Sequence, residues 1–249
     1  MVKGVNISPD VGIIGSVMTK PSWIYLINKL KTIGVNTISL PSAISTSQIQ
    51  EYCDKLGMLL VDRDFKINGL YSEEPDHLKE NFLFDQAGFK TPKGHYFECL
   101  WNDKPKVFAF TSSTKKSVIS SNSNSKTEIA NQVLRQQNSY TTLNEHWNYK
   151  EDEEILIQVY TNCDEVELLI NNRSKGRKKL KDFTQDMIIK WLIPFEAGNA
   201  IIKGYNEGKH VAGHALFTNN NAFTAKLFSD KDTLKADSYD LAFVELNIY

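Results

Sequence analysis

Features that mark specialised protein classes are scarce in this chain. Its cysteines, Cys53, Cys99 and Cys163, are only three, lie far apart and show no CxxC spacing. An odd, scattered set argues against a disulfide framework, so the thiols are read as packed side chains. No apolar run approaches the length of a membrane span, and MVKGVNISPD at the start lacks the basic and apolar regions of an export signal. As written, the chain is expected to start inside a cell and to have no membrane partner. Excess charge is missing too: the formal net charge is −1, which gives no bulk attraction to nucleic acid. Neither a cofactor nor a metal is expected.

An apolar content of 41% is enough for a proper core, and 249 residues suit one large domain or two ordinary ones. Residues 1 to 66 alternate strand, helix, strand, helix, strand. KGVNI is a short strand; Ser22 can cap a helix whose apolar positions Ile24, Ile27, Leu30 and Ile33 recur at helical spacing, and Gly34 ends it. VNTISL follows as a strand. Ser45-Thr46-Ser47-Gln48 has capping-box spacing, and Ile49, Tyr52, Cys53 and Leu56 form an apolar stripe that stops at Gly57, before the strand MLLVD. Such alternation predicts parallel strands covered by helices, as in a barrel or a doubly wound sheet.

From Thr111 to Glu145 serine, asparagine and threonine dominate, with a short helix expected near Glu128 to Arg135. Such a stretch buries too little apolar surface to offset its ordering entropy and is read as a linker or insertion. Beyond it, strands recur at short intervals. Ile155, Ile157 and Val159 alternate with Leu156, Gln158 and Tyr160, the period of a half-buried strand, and Thr161-Asn162-Cys163-Asp164 reads as a turn into EVELLI. MIIKWLIPF places Met187, Ile189, Trp191, Ile193 and Phe195 on one face, and Asn206-Glu207-Gly208-Lys209 closes a hairpin. An antiparallel sandwich is predicted over 146–221.

His210 and His214 share a strand face on spacing alone, but no third ligand of suitable spacing accompanies them. The basic run RSKGRKKLK, Arg173 to Lys181, reads as a solvated face rather than a phosphate or heparin site. Trp191 points inward by alternation, which favours packing over sugar stacking. Glu145 and Glu207, each preceded by asparagine, read as surface carboxylates.

The stretch VYTNCDEVELLINNRSKG, with HWNY upstream, resembles the sandwich domain that follows the catalytic barrel in glycoside hydrolase family 2, whose members include β-galactosidases and β-glucuronidases. Residues 1 to 66 resemble the first third of that family's barrel, and FDQAGF through GHYFECLWNDKP to KVFAF resembles its last unit and exit strand. The resemblance implies an incomplete (β/α) barrel remnant over 1–110, a linker over 111–145, an immunoglobulin-like antiparallel β-sandwich over 146–221, and over 222–249 the first strands of a second β-sandwich. It also implies loss of chemistry. Ser8, Ser39, Ser42 with Ala43, and Arg63 stand where members carry histidine, arginine, histidine-asparagine and glutamate. Both catalytic glutamates belong to barrel strands with no counterpart between Phe65 and Gly69, so no catalytic residue is assigned. Asn6 and Asp10 are left as substrate-binding remnants of a sugar cleft.

The expectation is therefore a glycosidase homologue that does not hydrolyse glycosides as a single chain. Its alternative is a non-catalytic sandwich module that binds carbohydrate or a partner protein. Exposed barrel or sandwich edges are expected to favour association. Relatives are often exported, so the compartment stays unassigned.

Overall fold

A computed structural model describes residues 1–7, 19–40, 47–62, 83–85, 88–114, 143–219, 224–237 and 240–248. The fold divides into two compact units, one formed by Met1–Lys79, Phe84–Lys90 and Asn221–Tyr249, the other by Glu80–Leu83 and Thr91–Asn220. Among the described residues no helix is long and apolar enough to cross a membrane.

The first unit opens with β1 (Gly4–Asn6), α1 (Lys20–Ile33), β2 (Thr37–Leu40), α2 (Ser47–Leu56) and β3 (Leu59–Asp62). The strands pair in parallel in the order β1-β2-β3, as the alternation predicts, and among the described residues this sheet is open. The cap of α1 differs from expectation. Thr19 accepts the Ser22 amide through its side chain, while Ser22 is buried inside the first turn. Pro21 explains the shift, because its missing N–H and preset φ suit a first helical turn and move the cap upstream. Gly34 adopts φ 95° and closes the helix by donating to the carbonyls of Leu30 and Lys31. Trp23, Ile27, Leu30 and Ile33 form the buried stripe of α1, with Ile24 only half-buried. Ile49, Tyr52 and Cys53 do the same for α2. All four residues of β2 are buried, as befits the central strand of a parallel sheet. The expected cap residues Ser45 and Thr46 lie outside the described residues.

Two distant segments complete this unit. Phe84 bridges Lys90 across a tight turn in which Asp85 Oδ1 accepts the Phe89 amide at 2.8 Å. Gly88 there has φ +82°, and a Cβ on it would lie 2.8 Å from the Tyr25 hydroxyl. At the other end of the chain, β11 (Ala225–Ser229) pairs antiparallel with β12 (Val244–Ile248). Phe243 stacks on Tyr25 of α1, ring centroids 3.8 Å apart and planes 8° from parallel. Leu227 and Leu246, directly opposed in this ribbon, are 70% and 52% exposed.

The second unit contains α3 (Pro92–Trp101), capped by Thr91, and seven strands: β4 (Val107–Ser113), β5 (Glu154–Thr161), β6 (Glu165–Ile170), β7 (Arg173–Lys179), β8 (Ile188–Pro194), β9 (Asn199–Asn206) and β10 (Lys209–Phe217). They form two antiparallel sheets, β4-β5-β8 and β10-β9-β6-β7. Trp147, Ile157, Leu168, Trp191 and Ile202, drawn from both sheets and the lead-in to β5, share one core, so the sheets pack face to face. The Thr161–Asp164 corner carries the chain from one sheet to the other.

Two expectations change here. Val107–Ser113, read as the exit strand of the barrel-like region with its boundary at residue 110, is hydrogen-bonded along its length to β5, and its last three residues extend the strand into the stretch read as linker. Strand pairing joins segments about 50 residues apart, which composition along the chain does not reveal. Residues 115–142, including the helix expected near Glu128, lie outside the described residues. The alternating pattern of β5 predicts one buried face, yet Leu156, Gln158 and Tyr160 are buried as well. The cause is α3, whose Cys99 packs with Phe110, Tyr160 and Ile188 over the outer side of the three-stranded sheet. Lys190 on that side is 5% exposed and is paired with Asp186 at 2.6 Å, as a buried cation requires.

Candidate functional site

The carboxyl ends of parallel strands are where α/β folds gather functional side chains, because the following loops diverge there. In the first unit that edge is formed by Asn6, Ser39 and Asp62. Asn6 lies opposite Ser39 in register, Leu40 lies opposite Asp62, and the Ile7 amide donates to the Ser39 carbonyl at 3.0 Å. Asn6 is exposed while Ser39 is 8% exposed. An amide and a hydroxyl can hydrogen-bond sugar hydroxyls; neither is a proton donor and nucleophile pair. Asp10, the second expected cleft residue, lies outside the described residues, as do Ser8, Ser42, Ala43 and Arg63.

Glu145 and Glu207, and Glu98 as well, are engaged in other ways. Glu145 is exposed, and its Oε1 lies 3.4 Å from His214 Nε2. Glu207 occupies the turn between β9 and β10 with φ 50°, its amide donating to Asp164 at 3.2 Å. Glu98 of α3 is buried and paired with Lys106 at 2.9 Å.

His210 and His214 do not share a face. A β-bulge between His210 and Ala212 inserts Val211 as an extra residue, so His210 pairs with Tyr205 on the outer side and His214 with Ile202 on the inner side. His214 Nδ1 accepts the Ala109 amide at 3.3 Å, which leaves the proton of a neutral ring on Nε2, facing Glu145. Among the described residues no group of three or more potential metal ligands comes together. Trp191 is 4% exposed in the core, and Tyr205 lies under the Arg177 guanidinium at 4.1 Å, so neither ring offers a free face to a sugar. Cys53, Cys99 and Cys163 are buried and form no disulfide among the described residues, with burial pushing the Cys53 and Cys163 thiols up.

A polar network not foreseen from sequence covers the outer side of the four-stranded sheet. Glu167 accepts hydrogen bonds from Ser174 Oγ at 2.8 Å and Tyr205 Oη at 2.9 Å, and Arg177 lies 3.4 Å away. The Ser174 and Tyr205 hydroxyls hold the Glu167 carboxyl below its usual range. Alternation could place Glu167 outward, but its partners come from β7 and β9 in a register that also contains a bulge.

A family model described as a domain of unknown function, DUF4982, matches residues 152–212. The chain is 35% identical to beta-galactosidase BoGH2A of Bacteroides ovatus over 104 residues, which is 41% of this chain and 12% of that protein. It is 27% identical to a putative beta-glucuronidase of Formosa agariphila over 140 residues, 55% of this chain and 10% of that protein. The chain thus spans about a tenth of the length of these curated relatives. Among solved structures, a glycosyl hydrolase family 2 member from Bacteroides cellulosilyticus is similar in fold, with TM-score 0.75 and 15% identity over 99% of this chain and 50% of that one. Bacteroides uniformis beta-glucuronidase 3 gives TM-score 0.54 at 13% identity, covering 99% of this chain and 53% of that one. By these likenesses the chain is related to the β-galactosidases and β-glucuronidases of glycoside hydrolase family 2.

Proposed function

We propose that this chain is a family 2 homologue without hydrolytic activity of its own, with a remnant of the (β/α) barrel in β1 to β3 and their helices, an immunoglobulin-like sandwich over 146–221 that β4 joins, and the first strands of a further β-sandwich over 222–249. One observation carries the reading. Between the end of β3 at Asp62 and the turn that starts at Leu83 lie positions 63–82, fewer residues than the roughly 30 that one further βαβ unit requires. Retaining glycosidases need two carboxyl groups about 5 Å apart on different strand ends. That stretch is too short to carry both strands. At the edge of the three strands present, Asn6 and Ser39 supply groups that bind hydroxyls; Asp10, outside the described residues, is kept with Asn6 as a remnant of substrate recognition on the family resemblance alone. The strand order of the two sheets, three members against four, supports the immunoglobulin-like assignment.

The test is direct. Purified chain incubated with nitrophenyl β-galactoside and nitrophenyl β-glucuronide should release no chromophore above buffer. Release that disappears when one of the chain's own carboxylates is changed to its amide would overturn the reading.

The second unit favours an alternative, a sandwich module that binds carbohydrate. It is the part with a core closed from both sheets and a helix covering one outer side. Saturable binding of the chain on a glycan array supports this alternative, and a blank array counts against it. The exposed Leu227 and Leu246 pair supports association of chains through the ribbon of β11 and β12.

A further inference from the structure

The basic run resolves into three parts once its neighbours are known. Arg173 and Lys175 are both paired with Glu196, at 2.7 and 3.0 Å. Arg177 is shared between Glu165 and Glu167. Lys178 turns to the opposite side, with its ammonium 4.8 Å from the centre of the Trp191 ring and donating to the Lys190 carbonyl at 2.6 Å. Lys179 and Lys181 are left exposed, with no carboxylate within ion-pair distance among the described residues.

Cations on an edge strand have a bland use: they discourage pairing with another chain. That use needs no particular end of the strand and no concavity. Here the two unmatched lysines stand where β7 runs into the turn at Leu180–Asp182, beside a depression of about 560 Å³ that they line together with Arg177 and Phe183. Glu165 and Asp182 also line it, against Arg177, Lys179 and Lys181, while the Lys178 ammonium is turned away to Trp191, so its walls keep a net positive charge. The chain as a whole has a formal net charge of −1, so attraction to an anion arises at this place and not from the bulk.

We propose that this depression is a subsite for the carboxylate or sulfate groups of an acidic saccharide, held by Lys179 and Lys181 with Arg177 at its side. The proposal rests on the reading of the second unit as a carbohydrate-binding module and narrows its ligand. A saccharide is favoured over nucleic acid on charge density. A duplex carries one charge per about 1.7 Å and would bring many phosphates against a chain with more acids than bases, whereas an oligogalacturonate carries a single carboxylate on each ring.

The experiment is titration calorimetry of the full chain with a heparin oligosaccharide and an oligogalacturonate, in low and moderate salt. Saturable binding that weakens with salt is expected. The double variant K179Q/K181Q should weaken it about fivefold or more, the worth of two exposed charge contacts. R173Q/K175Q, whose cations are already matched by Glu196, should change it less than about twofold. Far-UV circular dichroism verifies that both variants are folded. No saturable binding, or equal losses in the two variants, overturns the proposal. Equal competition by inorganic sulfate at matched charge also overturns it, by reducing the site to one for simple anions. Tighter binding of duplex DNA with the same dependence on Lys179 and Lys181 overturns it in favour of nucleic acid. Binding of neutral glycans alone on the array would end this proposal while leaving the module reading intact.

Discussion

Glu167 illustrates how much of a side chain's chemistry depends on partners that sequence does not name. Its carboxylate gathers Ser174 from β7, Tyr205 from β9 and the nearby Arg177 guanidinium, and the first two hydroxyls dominate in lowering its pKa. A lowered folded pKa means that its stabilising contribution is fully present above the ordinary carboxylate range and is lost as pH falls through the lower folded value. Glu167→Gln should therefore cost about 1 kcal/mol at neutral pH and flatten the acid limb of the stability profile. Urea unfolding from neutral to acid pH measures this; profiles that stay parallel would show that Glu167 is not the titrating group. The two histidines teach the converse. Their spacing places them on one face of a regular strand, and one extra residue, Val211, separates them.

Strands and helices reveal their inner faces readily and their outer surroundings poorly. Ile155, Ile157 and Val159 face the shared core, as alternation predicts, and so do Ile189, Trp191, Ile193 and Phe195 of the β8 segment. Met187 leaves that pattern because it precedes β8 with φ 56°. The burial of Tyr160 and Gln158 depends on a helix that begins more than 50 residues earlier. Close approach between elements is equally hidden. A Cβ on Gly204 of β9 would sit 2.5 Å from Val107 Cγ2 of β4 and 2.7 Å from Cys163 Sγ. Gly204→Ala should destabilise by about 1–3 kcal/mol through overpacking. Removing the sulfur with Cys163→Ala should relieve part of that cost, so the double variant is expected to lose less than the sum of the singles by about 0.5 kcal/mol or more. Strict additivity in equilibrium unfolding would show that the thiol is not the obstacle.

The division of the fold into two units makes a claim about β4. Because it pairs with β5 and lies within the second unit, its amides should exchange with solvent as slowly as those of β5. Hydrogen exchange resolved by residue tests this. Exchange of Val107–Ser113 in step with β1, β2 and β3 would return the strand to the barrel-like part.

Much was legible from local pattern alone: the alternating βαβαβ order of the opening, the helix stripes and the inward face of β8. These follow from side-chain periodicity and segment length, which act between near neighbours. Packing alone decided that β4 joins β5, that α3 covers the outer side of its sheet, that Phe243 returns to Tyr25, and that His210 and His214 face apart. Each of those depends on which distant segment a strand or ring meets, and in what register. Two segments far apart in the chain carry no mutual signal until burial of apolar surface and satisfaction of backbone hydrogen bonds select one pairing over its competitors.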